Sequence, residues 1–440
     1  MPFIPWFLSP RTVRIDIKFA ANAPTVMAAS TIAWFSTLCP DVQHLQLDCL
    51  PRNQVITEAV SEMLLACNRN TLQTFYVNCP LTDEARGFLH TLPKLRQLWI
   101  FTQGQTSLPP LTLPNLNLMY FGWDSGRDWL QAFSEATFGK LETITFRPIS
   151  SSAQIGGFLE EFKVVALAAS VQNTLSQFKF CTSQSWNPNY SSLLVFKQME
   201  LLQIEFSCRN GCSSTVDDNI VTSLARAMPK LEILRLGGAP CSALTGVTLR
   251  GLVALSCHCP RLSELRIHVQ AGELAEATTG TEPPLLPSGD AAVIPRVDCA
   301  LKVLQVGEAP ITREAASAVA VTLLQVFPRI VNVDHVDGRW GSVVEMIKLF
   351  RQIGGHIDHT SKAHLLHLKC SLVTPAYQGT HLSKKSVRKR PGVTVLVALD
   401  IIHRIVVPST VSFNSHPLHQ VVLGKRINPP KSKIQLRELG

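Results

Sequence analysis

The sequence lacks the common signatures of catalysis. It contains no glycine-rich phosphate loop, no G-x-S-x-G turn, no H-E-x-x-H and no paired C-x-x-C, so nucleotide-dependent, serine-hydrolase and zinc-protease chemistries lose their usual anchors. Cysteine is thin as well. Twelve in 440 residues, about 3%, falls far short of the roughly 8% of small disulfide scaffolds; the thiols read as reduced and the chain as intracellular, cytoplasmic or nuclear. Long uninterrupted apolar runs are missing. The nearest, from Val393 to Val407, is broken by Asp400, His403 and Arg404, and a charge at a bilayer centre costs about 2.5 kcal/mol or more, so no membrane span is expected. The first ten residues have no basic region ahead of their apolar stretch and carry prolines within it, which makes a poor secretory signal.

Charge is sparse and unevenly placed. Residues 371–440 hold 11 Lys/Arg against 2 Asp/Glu, leaving 30 of each in residues 1–370, so the net charge of +9 sits in the tail. A neutral body makes nucleic acid an unlikely partner for the main fold.

What the chain does contain is a repeated phrase: an apolar residue, two variable ones, an apolar residue, one variable, another apolar. Clear copies begin at Val42, Leu95, Leu141, Leu231 and Leu262, and weaker ones at Thr12, Leu72, Leu116, Leu175, Met199, Leu301, Ile330 and Ala363. The mean spacing of these 13 copies is 29 residues, with individual spacings from 21 to 39, a period that marks stacked repeat architectures. A second signal runs in phase with the first. Pro10, Pro40, Pro93, Pro114, Pro229, Pro260 and Pro328 each stand two residues before a first apolar position, where proline ends a helix and favours extended backbone.

Between copies the apolar period becomes helical, over residues 56–68, 83–91, 128–138, 218–228, 314–327 and 343–353, with Thr82, Asp217 and Thr312 as candidate N-caps. One strand and one helix cannot bury two apolar faces alone, whereas stacked units share a continuous core. The expected fold is therefore α/β: a solenoid, or horseshoe, of about 13 irregular strand–helix units over residues 1–370, followed by a basic C-terminal tail, 371–440. Strand-like runs in that tail, 393–407 and 421–423, find no visible partners, so it is not expected to order as the repeats do.

The phrases Cys39-Pro40-Asp41-Val42-Gln43-His44-Leu45-Gln46-Leu47 and Cys259-Pro260-Arg261-Leu262-Ser263-Glu264-Leu265-Arg266-Ile267 resemble the leucine-rich repeats of F-box/leucine-rich-repeat proteins. The likeness covers residues 8–370, and with Phe7-Leu8-Ser9-Pro10 opening the first copy it is similar to the fungal F-box-type set. The resemblance implies a substrate receptor of an SCF-type ubiquitin ligase, in which an F-box grips the adaptor of a cullin-RING ligase while the repeats hold a protein target. Eleven residues precede the first copy, too few for the helical F-box module, so the F-box is expected to be lost or omitted from the gene model.

Two segments interrupt the period. Residues 271–298, rich in Gly, Pro, Thr and Ala, and residues 182–192, with Trp186-Asn187-Pro188-Asn189-Tyr190, read as loops inserted in a repeat, either binding elements or tolerated growth. In the tail, Lys384, Lys385, Arg388, Lys389 and Arg390 form a basic run that is either a solvated stretch or a contact for nucleic acid or an acidic surface, the alternative function for this chain.

No catalytic, cofactor or metal residues are nominated. His356, His359, His364, His367 and Cys370 cluster in sequence, but strand alternation puts His364 and His367 on opposite faces, so they cannot share one ion. The informative residues are those of the outward face. If apolar positions four and six point into the core, positions three, five and seven face the concave surface. Position five reads Asp16, Gln46, Tyr76, Trp99, Tyr120, Thr145, Lys179, Gln203, Arg235, Arg266, Gln305, Asp334 and His367. Tyr76, Trp99 and Tyr120, with Phe101 at position seven, would form an aromatic strip; Arg147, Lys179, Arg235 and Arg266 would form a basic one. Aromatic anchors dominate protein interfaces, so the expected function is a non-enzymatic protein–protein interaction scaffold that binds its target on the concave face. The alternative, aromatics that only pack against a flanking element, stays open, and no small-molecule pocket is argued.

Overall fold

Each of the first twelve copies of the repeated phrase builds one strand. The computed structural model describes residues 8–19, 23–48, 53–102, 112–123, 133, 136–148, 155–184, 186–206, 216–237, 246–270, 299–306, 311, 315–335 and 340–355. The strands are β1 (Arg14–Lys18), β2 (His44–Asp48), β3 (Thr74–Val77), β4 (Gln97–Thr102), β5 (Thr112–Leu113), β6 (Leu118–Trp123), β7 (Thr137–Phe138), β8 (Thr143–Pro148), β9 (Gln177–Thr182), β10 (Leu201–Phe206), β11 (Ile233–Leu236), β12 (Glu264–Ile267), β13 (Val303–Val306) and β14 (Asn332–Asp334). Twelve of them form one parallel sheet in the order β1-β2-β3-β4-β6-β8-β9-β10-β11-β12-β13-β14, and β5 pairs with β7 apart from it. These twelve match the first twelve copies one for one; the thirteenth, at Ala363, lies outside the described residues, as do residues 271–298 and the tail.

Helices connect the strands: α1 (Thr25–Leu38), α2 (Gln54–Ala66), α3 (Asp83–Leu89), α4 (Phe158–Ala168), α5 (Asp218–Ala227), α6 (Leu249–His258), α7 (Ala315–Val326) and α8 (Gly341–Gly355). The expected caps at Thr82 and Asp217 accept from Ala85 N at 3.3 Å and Ile220 N at 2.9 Å, satisfying N–H groups that a helix start leaves unpaired. Thr312 lies outside the described residues. The helix expected over residues 128–138 is corrected at its end, where Thr137–Phe138 is a short strand. Among the described residues, no helix is long and apolar enough to cross a membrane.

The phase-locked prolines have a sharper role than ending helices. In all seven cases the residue before the proline accepts a hydrogen bond from the first apolar residue: Ser9 from Thr12, Cys39 from Val42, Leu92 from Leu95, Leu113 from Leu116, Met228 from Leu231, Cys259 from Leu262 and Phe327 from Ile330, at 2.9–3.3 Å. Proline is thus the second residue of a β-turn, the place its fixed φ suits best. Past the turn, the position-two carbonyl accepts two N–H groups from the next copy. Gln43 O, for instance, takes Gln73 N at 2.8 Å and Thr74 N at 3.0 Å.

Positions one, four and six are buried along the sheet and join the inner helix faces in one hydrophobic cluster, with Leu45, Phe75, Leu98, Ile144, Leu202 and Leu265 fully enclosed beside Ile32, Val60, Leu224, Leu255 and Leu323. Strands such as β2, β3, β9 and β10 alternate buried with half-buried residues, with positions three and five facing away from the helices, whereas β6 is buried at every position after its first. The middle of the core is aromatic. Phe158 of α4 stacks on Trp123 at 5.7 Å between ring centroids and tilts against Phe180 at 4.6 Å. The smaller interruption belongs to this core: Trp186 lies 4.4 Å from Phe180, and Tyr190 is buried at the start of a 3-10 turn, Tyr190–Leu193. Residues 182–192 thus take the place of a helix in their unit, and the described part of the segment packs inward rather than reaching out to bind.

Candidate functional site

Backbone register fixes the outward face. The ladder pairs Asp16 with Gln46, Gln46 with Tyr76, Tyr76 with Trp99, Trp99 with Tyr120, Tyr120 with Thr145 and Thr145 with Lys179. It continues from Lys179 through Gln203, Arg235, Arg266 and Gln305 to Asp334. One row of position-five residues therefore crosses all twelve strands without a slip. A one-residue slip in any strand would put that strand's apolar positions outward.

Along this row the rings meet. Trp99 and Tyr120 stack with centroids 3.3 Å apart and planes 14° from parallel, and Tyr76 leans on Trp99 at 4.1 Å and 55°. Tyr76 and Trp99 are half-buried. Phe101 and Tyr120, at 3% and 8% exposure, are not open anchors. They are floor, Tyr120 beneath the Trp99 ring. The rings belong to an open groove of about 630 Å³ lined from β2 to β12, whose polar contributors include Asp48, Asn78, Arg147, Cys181, Glu205 and Arg266. Lys179 and Arg235 stand on the same ladder outside that lining.

The basic strip is corrected into two halves. Arg235 donates from Nε to Glu264 Oε1 at 2.7 Å, and Arg266 donates from Nη1 to Glu205 Oε1 at 2.9 Å, reaching over β11 to do so. Glu264, foremost through its hydrogen bond, holds the Arg235 guanidinium above its ordinary range. Half-buried pairs of this kind add little net positive field. Arg147, exposed, and Lys179, half-buried, make no ion pair among the described residues. Free positive charge is thus concentrated on β8 and β9.

Sequence reading missed Asp48, Glu205 and Cys181, all at position seven, because strand alternation marks a residue as outward without marking which neighbour it meets. Cys181 Sγ lies 4.0 Å from Glu205 Oε2. Burial first, then the Glu205 charge, pushes this thiol up against the opposing pull of Arg147, Lys179 and Arg235, which favours its protonated form. Among the described residues no group of three His, Cys, Asp or Glu is placed to hold a metal. The histidine cluster at 356–370 and the basic run of Lys384, Lys385, Arg388, Lys389 and Arg390 lie outside the described residues. No family model and no curated protein sequence matches the chain.

Proposed function

We propose that the chain is a non-enzymatic protein-interaction scaffold of the leucine-rich repeat type, a solenoid whose outward strand face holds a protein target. By its resemblance it serves as the substrate-binding part of an SCF-type ubiquitin ligase receptor. The observation that carries the reading is the slip-free ladder that sets Tyr76, Trp99 and Tyr120 ring against ring in an open groove. The half-buried rings of Tyr76 and Trp99, backed by Tyr120, supply large contact area at low entropic cost, the property of interface anchors.

The test compares tagged wild-type chain with a Trp99→Ala variant, purified in parallel from the protein's own cells and read by quantitative mass spectrometry. A groove partner should fall by more than about fivefold in the variant, the equivalent of ~1 kcal/mol, with circular dichroism unchanged. Recovery of the cullin-ligase adaptor with the wild type would support the ligase assignment. Equal recovery of every partner by both proteins would refute the anchor role of Trp99.

A further inference from the structure

We infer that the groove takes an extended acidic peptide segment, one bulky apolar side chain on Tyr76 and Trp99 and one carboxylate at Arg147 and Lys179, four residues apart. The inference rests on the reading that this face binds a protein, and it adds the chemistry and spacing of what is bound.

Shape points to an extended chain. The lining crosses the strands from β2 to β10 before reaching Arg266, and six strand spacings of 4.8 Å make a trough roughly 29 Å long. An open trough of that length suits a chain laid across the strands better than a compact ligand.

Charge settles the sign. Among the described residues the lining holds two carboxylates, and both already have cations: Glu205 has Arg266 at 2.9 Å and Asp48 has Lys18 at 4.0 Å. Arg147 in the lining and Lys179 beside it carry no such partner among the described residues. An incoming cation meets carboxylates that are already paired, whereas an incoming carboxylate meets unpaired charge, and Arg147 can hold it with two parallel N–H donors.

Register supplies the spacing. Arg147 lies two strands from Trp99 and two residues further along its strand, and Lys179 lies three strands away on the same row. Those steps amount to roughly 12 Å and 14 Å, which an extended chain rising ~3.3 Å per residue covers in about four residues, an even step that keeps both side chains on one face.

The probe is a phage-displayed library of random twelve-residue peptides, selected on the full-length chain and on its Trp99→Ala and Arg147→Glu variants. Wild-type selection should enrich peptides with an aromatic or large aliphatic residue and an Asp or Glu four places away. A synthetic copy of the leading peptide should bind Arg147→Glu about tenfold more weakly, and changing its acidic residue to Lys should restore affinity for that variant. Lys179→Glu, on a different strand, should act in the same direction. Peptides that require Trp99 but are neutral or basic, or that bind Arg147→Glu and Lys179→Glu as well as wild type, overturn this inference alone. Absence of any enrichment that depends on Trp99 overturns it together with the interaction reading.

Discussion

Asp218, in the first turn of α5, holds the start of α6 in the next unit. Its Oδ1 accepts Thr248 N at 2.9 Å and Gly251 N at 3.0 Å, and its Oδ2 takes the Thr248 hydroxyl. Truncation in Asp218→Ala removes all three bonds and a negative charge at a helix N-terminus, where it is favoured. Bonds to a charged acceptor contribute about 1.5–3 kcal/mol each when buried, but the site is half-exposed and water recovers part, so a net loss of about 2–3 kcal/mol is expected. Asp218→Asn keeps the carbonyl oxygen that accepts both N–H groups and should lose less than about 1 kcal/mol. Because the damage is local, native-state hydrogen exchange over residues 246–258 is the suitable assay. At 1.4 kcal/mol per decade, Ala should speed exchange there by roughly 30- to 140-fold, with residues 72–100 unaffected. Exchange in the Ala variant within threefold of wild type, or an Asn variant as fast as Ala, would refute the assignment of Asp218 as an inter-unit cap.

Two glycines should respond in opposite directions. Gly87 in α3 has open space where a Cβ would stand, so Gly87→Ala should raise stability by about 0.5–1 kcal/mol; at Gly139 a Cβ would come within 2.5 Å of the Pro114 carbonyl oxygen, so Gly139→Ala should cost about 1–3 kcal/mol, both read from denaturation midpoints. His44, hydrogen-bonded to the Thr74 hydroxyl at 3.0 Å, is held below its ordinary 6.5, first by burial and then by the Arg14 charge. Between that lowered value and 6.5 the unfolded chain binds more protons than the folded one, so stability should fall as pH drops through the window and stay level above it. His44→Gln should flatten part of this acid limb, and His90, which burial lowers in the same way, should contribute to what remains; an unaltered limb in His44→Gln would count against the assignment.

The strands were legible because two independent signals coincide. Apolar positions one, four and six mark the core face, and the proline two residues earlier marks the turn, so the twelve described strands start where the phrase places them. Three helices, α1, α4 and α6, escaped sequence reading. The N-caps of α1 and α4 are Pro24 and Gly157, neither of which makes a side-chain capping bond, so the usual polar start signal is absent there, whereas α6 was missed although Thr248 caps it by accepting from Arg250 N at 3.2 Å. The aromatic row was legible for the same reason as the strands, since side-chain alternation and register are both backbone properties. Which ring is covered and which cation is paired was not. The contact between Arg266 and Glu205 joins residues 61 apart and skips a strand, a reach set by side-chain length and local packing rather than by any period. Burial of Trp186 and Tyr190 was hidden likewise, because a loop-like composition of Asn and Pro does not reveal that an aromatic cluster beside it lacks a covering helix.

Consecutive copies are separated by as few as 21 residues, Leu95 to Leu116, and as many as 39, Leu262 to Leu301, yet Trp99 still faces Tyr120 and Arg266 still faces Gln305. All variation in length is absorbed between the strands and none of it reaches the row. For a lineage this separates two kinds of heritable change: insertions and deletions can accumulate on the connecting side while the recognition side evolves by point substitution alone. Duplication of a whole unit would widen the face by a single strand, about 4.8 Å, leaving every earlier neighbour in place.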